Sequence, residues 1–115
     1  MKHSSGLAVA IASLAIGFSS SSLALDADDA KALFKENDCT KCHAPKKSKK
    51  GPSLEKIAAK YKEKDKAATA EATILKHMAS NPKVKLDDGT EEEHKSPDTK
   101  DQAALKNLIK WMLSH

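Results

Sequence analysis

One short stretch decides the fold of this chain: Cys39-Thr40-Lys41-Cys42-His43. This C-x-x-C-H spacing is the pattern through which a haem is attached covalently to a polypeptide. Two thiols one helical turn apart can add to the two vinyl groups on one edge of a porphyrin, and the histidine that follows then presents its imidazole to the iron. The pattern predicts that Cys39 and Cys42 bind one haem c and that His43 is the first axial ligand.

Other uses of two closely spaced cysteines fit the sequence less well. A thioredoxin-like redox pair needs a βαβ context, and a structural zinc site needs a second pair of ligands. Neither pattern occurs around Cys39 and Cys42. A simple disulfide between these two cysteines, without haem, remains an alternative, but it would leave a small domain short of a core.

The first 24 residues are typical of an export signal. Lys2 and His3 precede the 13-residue apolar run Gly6–Phe18, and small residues suited to a signal peptidase follow in Ser19–Ala24. We predict cleavage after Ala24, a signal peptide over 1–24, a domain over 25–115 and a periplasmic location. A membrane-spanning helix needs about 20 apolar residues, so stable membrane insertion is not expected, and an uncleaved anchor is the alternative.

The exported domain needs more than its own apolar residues to build a core, because it is small and has few large ones. A bound haem would supply the missing apolar volume. All 20 basic residues are lysine. Nucleic-acid readers depend on the bidentate contacts of arginine, so the basic pI of about 9.0 does not indicate a nucleic-acid partner.

Hydrophobic periodicity and capping residues predict an all-α domain of about four helices. The chain shows no internal repeat and no sustained period-two alternation. We read 83–98 as a long structured loop with a turn at Asp87-Asp88-Gly89. The predicted helices cover 26–38, 54–61 after a Ser53 cap, about 67–79 before Asn81-Pro82, and a final stretch from about Thr99.

These features together resemble the class I monohaem c-type cytochromes of the small bacterial type. The resemblance rests on the first helix with Phe34, the Cys39–His43 motif, Gly51-Pro52-Ser53-Leu54 and the closing stretch 108–113. It implies a fold of about four helices wrapped around one covalently bound haem. It also implies that the first and last helices cross near Phe34 and Trp111, and that the Pro52 carbonyl accepts a hydrogen bond from the proximal imidazole.

The second axial ligand is where this sequence departs from the family. The family usually places a methionine a few residues before the last helix, but the corresponding stretch here is Glu93-His94-Lys95-Ser96-Pro97. We favour His94 as the ligand, with Met78 as the main alternative. Lys95, His77 and an open site also remain. Met112 is expected to pack in the core, and His115 to lie in solvent.

A haem with two axial ligands has no position for a substrate, so the resemblance implies electron transfer rather than enzymatic catalysis. We expect a monomer that exchanges single electrons with redox partner proteins. Acidic docking surfaces on those partners would be attracted by the lysines around the motif, which are Lys41, Lys46, Lys47, Lys49 and Lys50. The alternative function is a haem protein with an open or labile distal site that binds small ligands or gases.

Overall fold

The computed structural model describes Gly17 and residues 25–115. The predicted signal peptide and its cleavage site lie outside the described residues, apart from Gly17. Five helices and one short hairpin form the described part of the chain. They are α1 (Ala27–Glu36), α2 (Leu54–Lys62), α3 (Lys64–Ala67), α4 (Ala70–Ser80), β1 (Lys83–Lys85), β2 (Glu91–Glu93) and α5 (Gln102–Leu113).

Side-chain caps mark the starts of α1, α2 and α5. The Asp26 carboxylate accepts a hydrogen bond from the Asp29 amide at 3.0 Å, and the Ser53 hydroxyl accepts one from the Lys56 amide at 3.2 Å. The predicted start at Ser53 is thereby confirmed. Asp101 caps α5, which therefore begins at Gln102 rather than at Thr99.

The chain between α2 and α4 is more helical than its sequence indicated. The predicted helices left 62–66 between them without a helix, but the short helix α3 occupies Lys64–Ala67, and α4 begins at Ala70 rather than at about Ala67. The end of α4 lies where Asn81-Pro82 predicted it. Asn81 adopts a left-handed conformation with φ of 43°, and the following proline prevents a return to the helix.

Helix α5 is the centre of the core and packs against α1, α2 and α4. Leu54, Leu108 and Ile109 are fully buried at these contacts. Phe34 on α1 meets Trp111 on α5 edge to face, with ring centroids 5.3 Å apart. The crossing of the first and last helices near these two aromatic residues is therefore confirmed.

The predicted loop over 83–98 contains a small antiparallel hairpin that we did not expect. In its register Lys83 lies opposite Glu93 and Lys85 opposite Glu91, so unlike charges face each other. Apart from Val84, these three-residue strands consist of lysine and glutamate, which have low β-propensity, and this explains why the pattern was missed. The predicted turn is confirmed, because Gly89 has φ of +86° and its amide donates to the Leu86 carbonyl at 3.0 Å.

The prediction that His115 lies in solvent is wrong. Its ring packs on Trp111 with centroids 4.8 Å apart, and its Nδ1 lies 3.0 Å from the Trp111 carbonyl oxygen. Met112, by contrast, is buried in the core as predicted. Within the described residues, no helix is long and apolar enough to cross a membrane.

Candidate functional site

A large cavity lies beside the Cys39–His43 motif. Its volume is about 770 Å³, within the range of sites that hold large organic ligands. Apolar side chains from several helices form one wall, including Phe34, Ile74, Leu108 and Met112. The hairpin and the residues after it line another part of the same cavity. Both cysteines and three of the histidines also line it, namely Cys39, Cys42, His43, His77 and His94.

The attachment motif forms a tight turn on the cavity wall. Residues Cys39–Lys41 make one 3-10 turn, and the His43 amide donates to the Cys39 carbonyl at 3.0 Å. Asp38 enables this turn by adopting a left-handed conformation with φ of 59°. Both thiols are free, and burial raises the pKa of Cys39, with Asp38 and Cys42 adding to the effect. The turn thus presents two thiols and one imidazole to a single cavity.

The proximal imidazole is fixed in both orientation and tautomer. His43 Nδ1 lies 2.7 Å from the Pro52 carbonyl oxygen, so the contact that the resemblance implied is present. A carbonyl can only accept a hydrogen bond, so Nδ1 must carry the proton and Nε2 must have a free lone pair. Such a contact orients a histidine and raises its basicity as a metal ligand.

Gly51 permits this close approach, a role that our sequence analysis did not assign. A Cβ atom at position 51 would lie 2.7 Å from Cε1 of His43, which is shorter than any normal contact. The Gly51 amide also donates to the Cys42 carbonyl at 2.9 Å. The glycine is therefore required for the proline carbonyl to reach the imidazole.

One of the lysines that we predicted to attract a redox partner forms a hydrogen bond within the protein instead. Lys49 Nζ donates to the Thr40 carbonyl inside the motif at 2.9 Å. Lys46, Lys47 and Lys50 are exposed on the same loop. Lys41 is also exposed and lies 3.4 Å from the Asp38 carboxylate. The loop is thus hydrogen-bonded to the motif through Lys49 and also presents a positively charged surface.

His94 lies on the same cavity as His43, with their ring centroids 6.1 Å apart. An imidazole nitrogen binds a metal at about 2 Å and its ring centroid lies about 1.1 Å further, so two imidazoles on one iron have centroids about 6.2 Å apart. His94 Nδ1 is buried and has no hydrogen-bond partner among the described residues. Burial lowers the pKa of His94, and His77 and His43 lower it further, which favours the neutral form that a metal ligand needs.

The other candidate ligands occupy different surroundings. Met78 lies in the core cluster at 7% exposure and also lines the cavity. His77 is exposed, and its ring meets that of His94 edge to face at 5.0 Å. Lys95 is exposed at the rim. The donor set around the cavity fits a haem with two axial ligands, and the His94 ring lies at a distance from His43 that suits such a pair.

Comparison with known proteins identifies the family. The family model for cytochrome c matches residues 27–115. Cytochrome c-552 from Nitrosomonas europaea is 46% identical over 48 residues, which cover 42% of this chain and 47% of that relative, about half of its length. The crystal structure of the class 1 cytochrome MtoD from Sideroxydans lithotrophicus ES-1 is similar with a TM-score of 0.72. Its identity is 48%, over 79% of this chain and 97% of that one.

The fold class predicted from the sequence is confirmed by these matches, and the small hairpin does not change it. Covalent haem c is the cofactor that the family implies, and the two free cysteines of the motif agree with it. This chain therefore belongs to the cytochrome c family, as a class I monohaem member with one covalently bound haem c.

Proposed function

We propose that this protein carries single electrons between redox partner proteins in the periplasm. Cys39 and Cys42 hold the haem through thioether bonds, and His43 and His94 are its axial ligands. The observation that carries the proposal is the distance of 6.1 Å between the His43 and His94 rings, on one cavity that both thiols also line. When bound, the haem supplies an iron that cycles between the ferrous and ferric states.

The surrounding residues adapt this site to electron transfer. The Pro52 carbonyl accepts a hydrogen bond from His43 Nδ1 and so orients the ring, and burial lowers the pKa of His94, which favours its neutral form. With both axial positions filled by protein side chains, no position remains for a substrate, which is the behaviour of a carrier rather than of an enzyme. The apolar cavity wall limits the access of water to the site, and this burial is one of the factors that set a haem potential.

Location and partners follow from the charge and the leader sequence. The N-terminal export pattern directs the chain to the periplasm, and the resulting domain acts as a monomer. Lys46, Lys47 and Lys50 are exposed near the motif and would attract an acidic docking surface. Lys49 is not assigned this role, because its ammonium group binds the Thr40 carbonyl.

Mature protein made in a host with c-type maturation should weigh one haem more than its polypeptide and show no titratable thiol. Both thiols are expected to be consumed in thioether bonds. Intact-mass spectrometry and thiol titration measure this, and a ferric electron paramagnetic resonance spectrum reports the axial ligands. Cys42→Ala should retain at most one thioether. Two free thiols in the folded protein would overturn the attachment, and a histidine–methionine spectrum would overturn the assignment of His94.

Binding to an acidic surface should weaken as salt is raised, because the Debye length shrinks from about 10 Å at 0.1 M to about 3 Å at 1 M. A gold electrode coated with carboxylates serves as the probe, and adsorption is followed by voltammetry. Changing Lys46, Lys47 and Lys50 together to glutamate should abolish adsorption at 0.1 M salt.

The matched control replaces three other lysines, which lie away from the cavity, by glutamate. Lys31, Lys106 and Lys110 are exposed and do not line the cavity, so their replacement by glutamate should affect adsorption less. Equal losses in the two triple variants would show that net charge alone, and not the lysines near the motif, determines docking.

A further inference from the structure

The residues from His94 to Asp98, here called the distal segment, contain no helix or strand. Apart from the buried Pro97, their side chains are polar and contribute little to a core. Hydrophobic packing therefore does little to hold this segment beside the cavity. Its position depends instead on hydrogen bonds to neighbouring elements.

The start of the distal segment is bonded to the end of α4. The His94 amide donates to the Pro82 carbonyl at 2.8 Å. The Ser96 hydroxyl hydrogen-bonds to the Met78 carbonyl. It also lies 2.7 Å from Oδ1 of Asn81, the residue that ends α4. Ser96 is half-buried, so these contacts are partly protected from competing water.

The other end of the distal segment is bonded to α1 through Asn37. The Asp98 amide donates to Asn37 Oδ1 at 2.7 Å, and Asn37 Nδ2 donates to the Leu33 carbonyl at 2.8 Å. Asn37 lies two residues before Cys39 in the chain. One side-chain amide thus connects the attachment turn to the segment that carries His94.

We propose that Asn37 and Ser96 are positioning residues that hold the distal segment in place and so keep His94 on the iron. The inference rests on the proposed function, in which His94 is the second axial ligand. With both ends of the segment bonded, the backbone that carries His94 can move away from the cavity only if at least one of these hydrogen bonds breaks. The site is therefore built to resist foreign ligands, which favours electron transfer over the binding of small gases.

The rate at which cyanide replaces the second axial ligand of the ferric holoprotein tests this proposal. Cyanide can bind only after His94 leaves, so its rate at a fixed concentration reports the population of the detached state. Asn37→Ala and Ser96→Ala should each raise that rate about fivefold to tenfold, the equivalent of one or two net hydrogen bonds. Ser96→Thr keeps the hydroxyl that bonds to the Met78 carbonyl, so this variant should bind cyanide at nearly the wild-type rate.

Asn107→Ala is the matched control. The Asn107 side chain also makes two hydrogen bonds between distant parts of the chain, to the amide of Asp26 at 2.9 Å and to its carbonyl at 2.8 Å. It does not line the cavity. Its loss should lower the denaturant midpoint as Asn37→Ala does, but leave the cyanide rate unchanged. An equal acceleration in Asn107→Ala would overturn the proposal, because general loosening would then explain the effect.

Hydrogen exchange provides a readout that does not depend on the iron. The Asp98 amide should exchange faster in Asn37→Ala than in the wild type or in Asn107→Ala. Unchanged exchange and cyanide rates in a protein with a histidine–histidine spectrum would overturn the positioning role alone. A histidine–methionine spectrum in the wild type would overturn the His94 assignment and this inference together.

Discussion

Replacing His94 by alanine should open the sixth coordination position of the iron to carbon monoxide. Alanine cannot ligate, and the His94 ring is the one proposed to face that of His43 across the iron, at 6.1 Å between centroids. The ferric low-spin spectrum should be lost, and the ferrous protein should bind carbon monoxide promptly. Added imidazole should restore the low-spin spectrum by occupying the vacated position.

Met78→Leu is the control for this prediction. The two side chains have similar volumes, and such exchanges in a core usually cost less than about 1.5 kcal/mol. Because Met78 is 7% exposed within the core cluster, we expect it to act through packing and the spectrum to stay unchanged. The opposite pattern, with a silent His94→Ala and a low-spin spectrum lost in Met78→Leu, would identify the thioether as the ligand.

The same ligand assignment predicts the reduction potential. Methionine ligation raises the potential of c-type haems, so a histidine pair should give a lower potential than methionine-ligated relatives have.

His77→Ala tests the choice of ligand further, because His77 is exposed and touches His94 without being the assigned ligand. This variant should keep the low-spin spectrum. Loss of the low-spin spectrum in His77→Ala would show that His77, not His94, binds the iron.

Replacing Trp111 by alanine should strongly lower the free energy of unfolding of the domain. Truncating a buried tryptophan typically costs about 3–5 kcal/mol, which is a large part of the 5–15 kcal/mol that stabilises a typical domain. Trp111 is 7% exposed and packs against Phe34 on α1 and against His115. Its loss therefore weakens the crossing of the first and last helices.

Denaturant midpoints of the wild-type and variant holoproteins measure this effect. Leu25→Ala is the control, because Leu25 is 42% exposed and its truncation should change stability by less than about 0.5 kcal/mol. Similar midpoints for wild type and Trp111→Ala would show that the bound haem, rather than the helix crossing, dominates the stability of the domain.

The features that the sequence predicted correctly depend on neighbours along the chain. The Ser53 cap and the stop at Asn81-Pro82 act within a few residues, so their signals are local. The glycine turn at Asp87-Asp88-Gly89 is local in the same way. The attachment motif carries its own geometry, because its two cysteines and its histidine are nearly adjacent. These signals sufficed to predict the family, the cofactor and four of the five helices.

Tertiary structure alone decided which distant residues meet. The hairpin pairs short charged strands whose sequences favour no sheet, so only the register of the folded chain makes Lys83 face Glu93. Asn37 and Asp98 lie 61 residues apart, and nothing in either sequence neighbourhood indicates their hydrogen bond. The sequence by itself predicted the cofactor, one covalently bound haem c, and proposed Cys39–His43 as its site. Hydrogen bonds from the distal segment to residues distant in the chain hold the His94 ring with its centroid 6.1 Å from that of His43, and such contacts depend on the whole fold rather than on local residues.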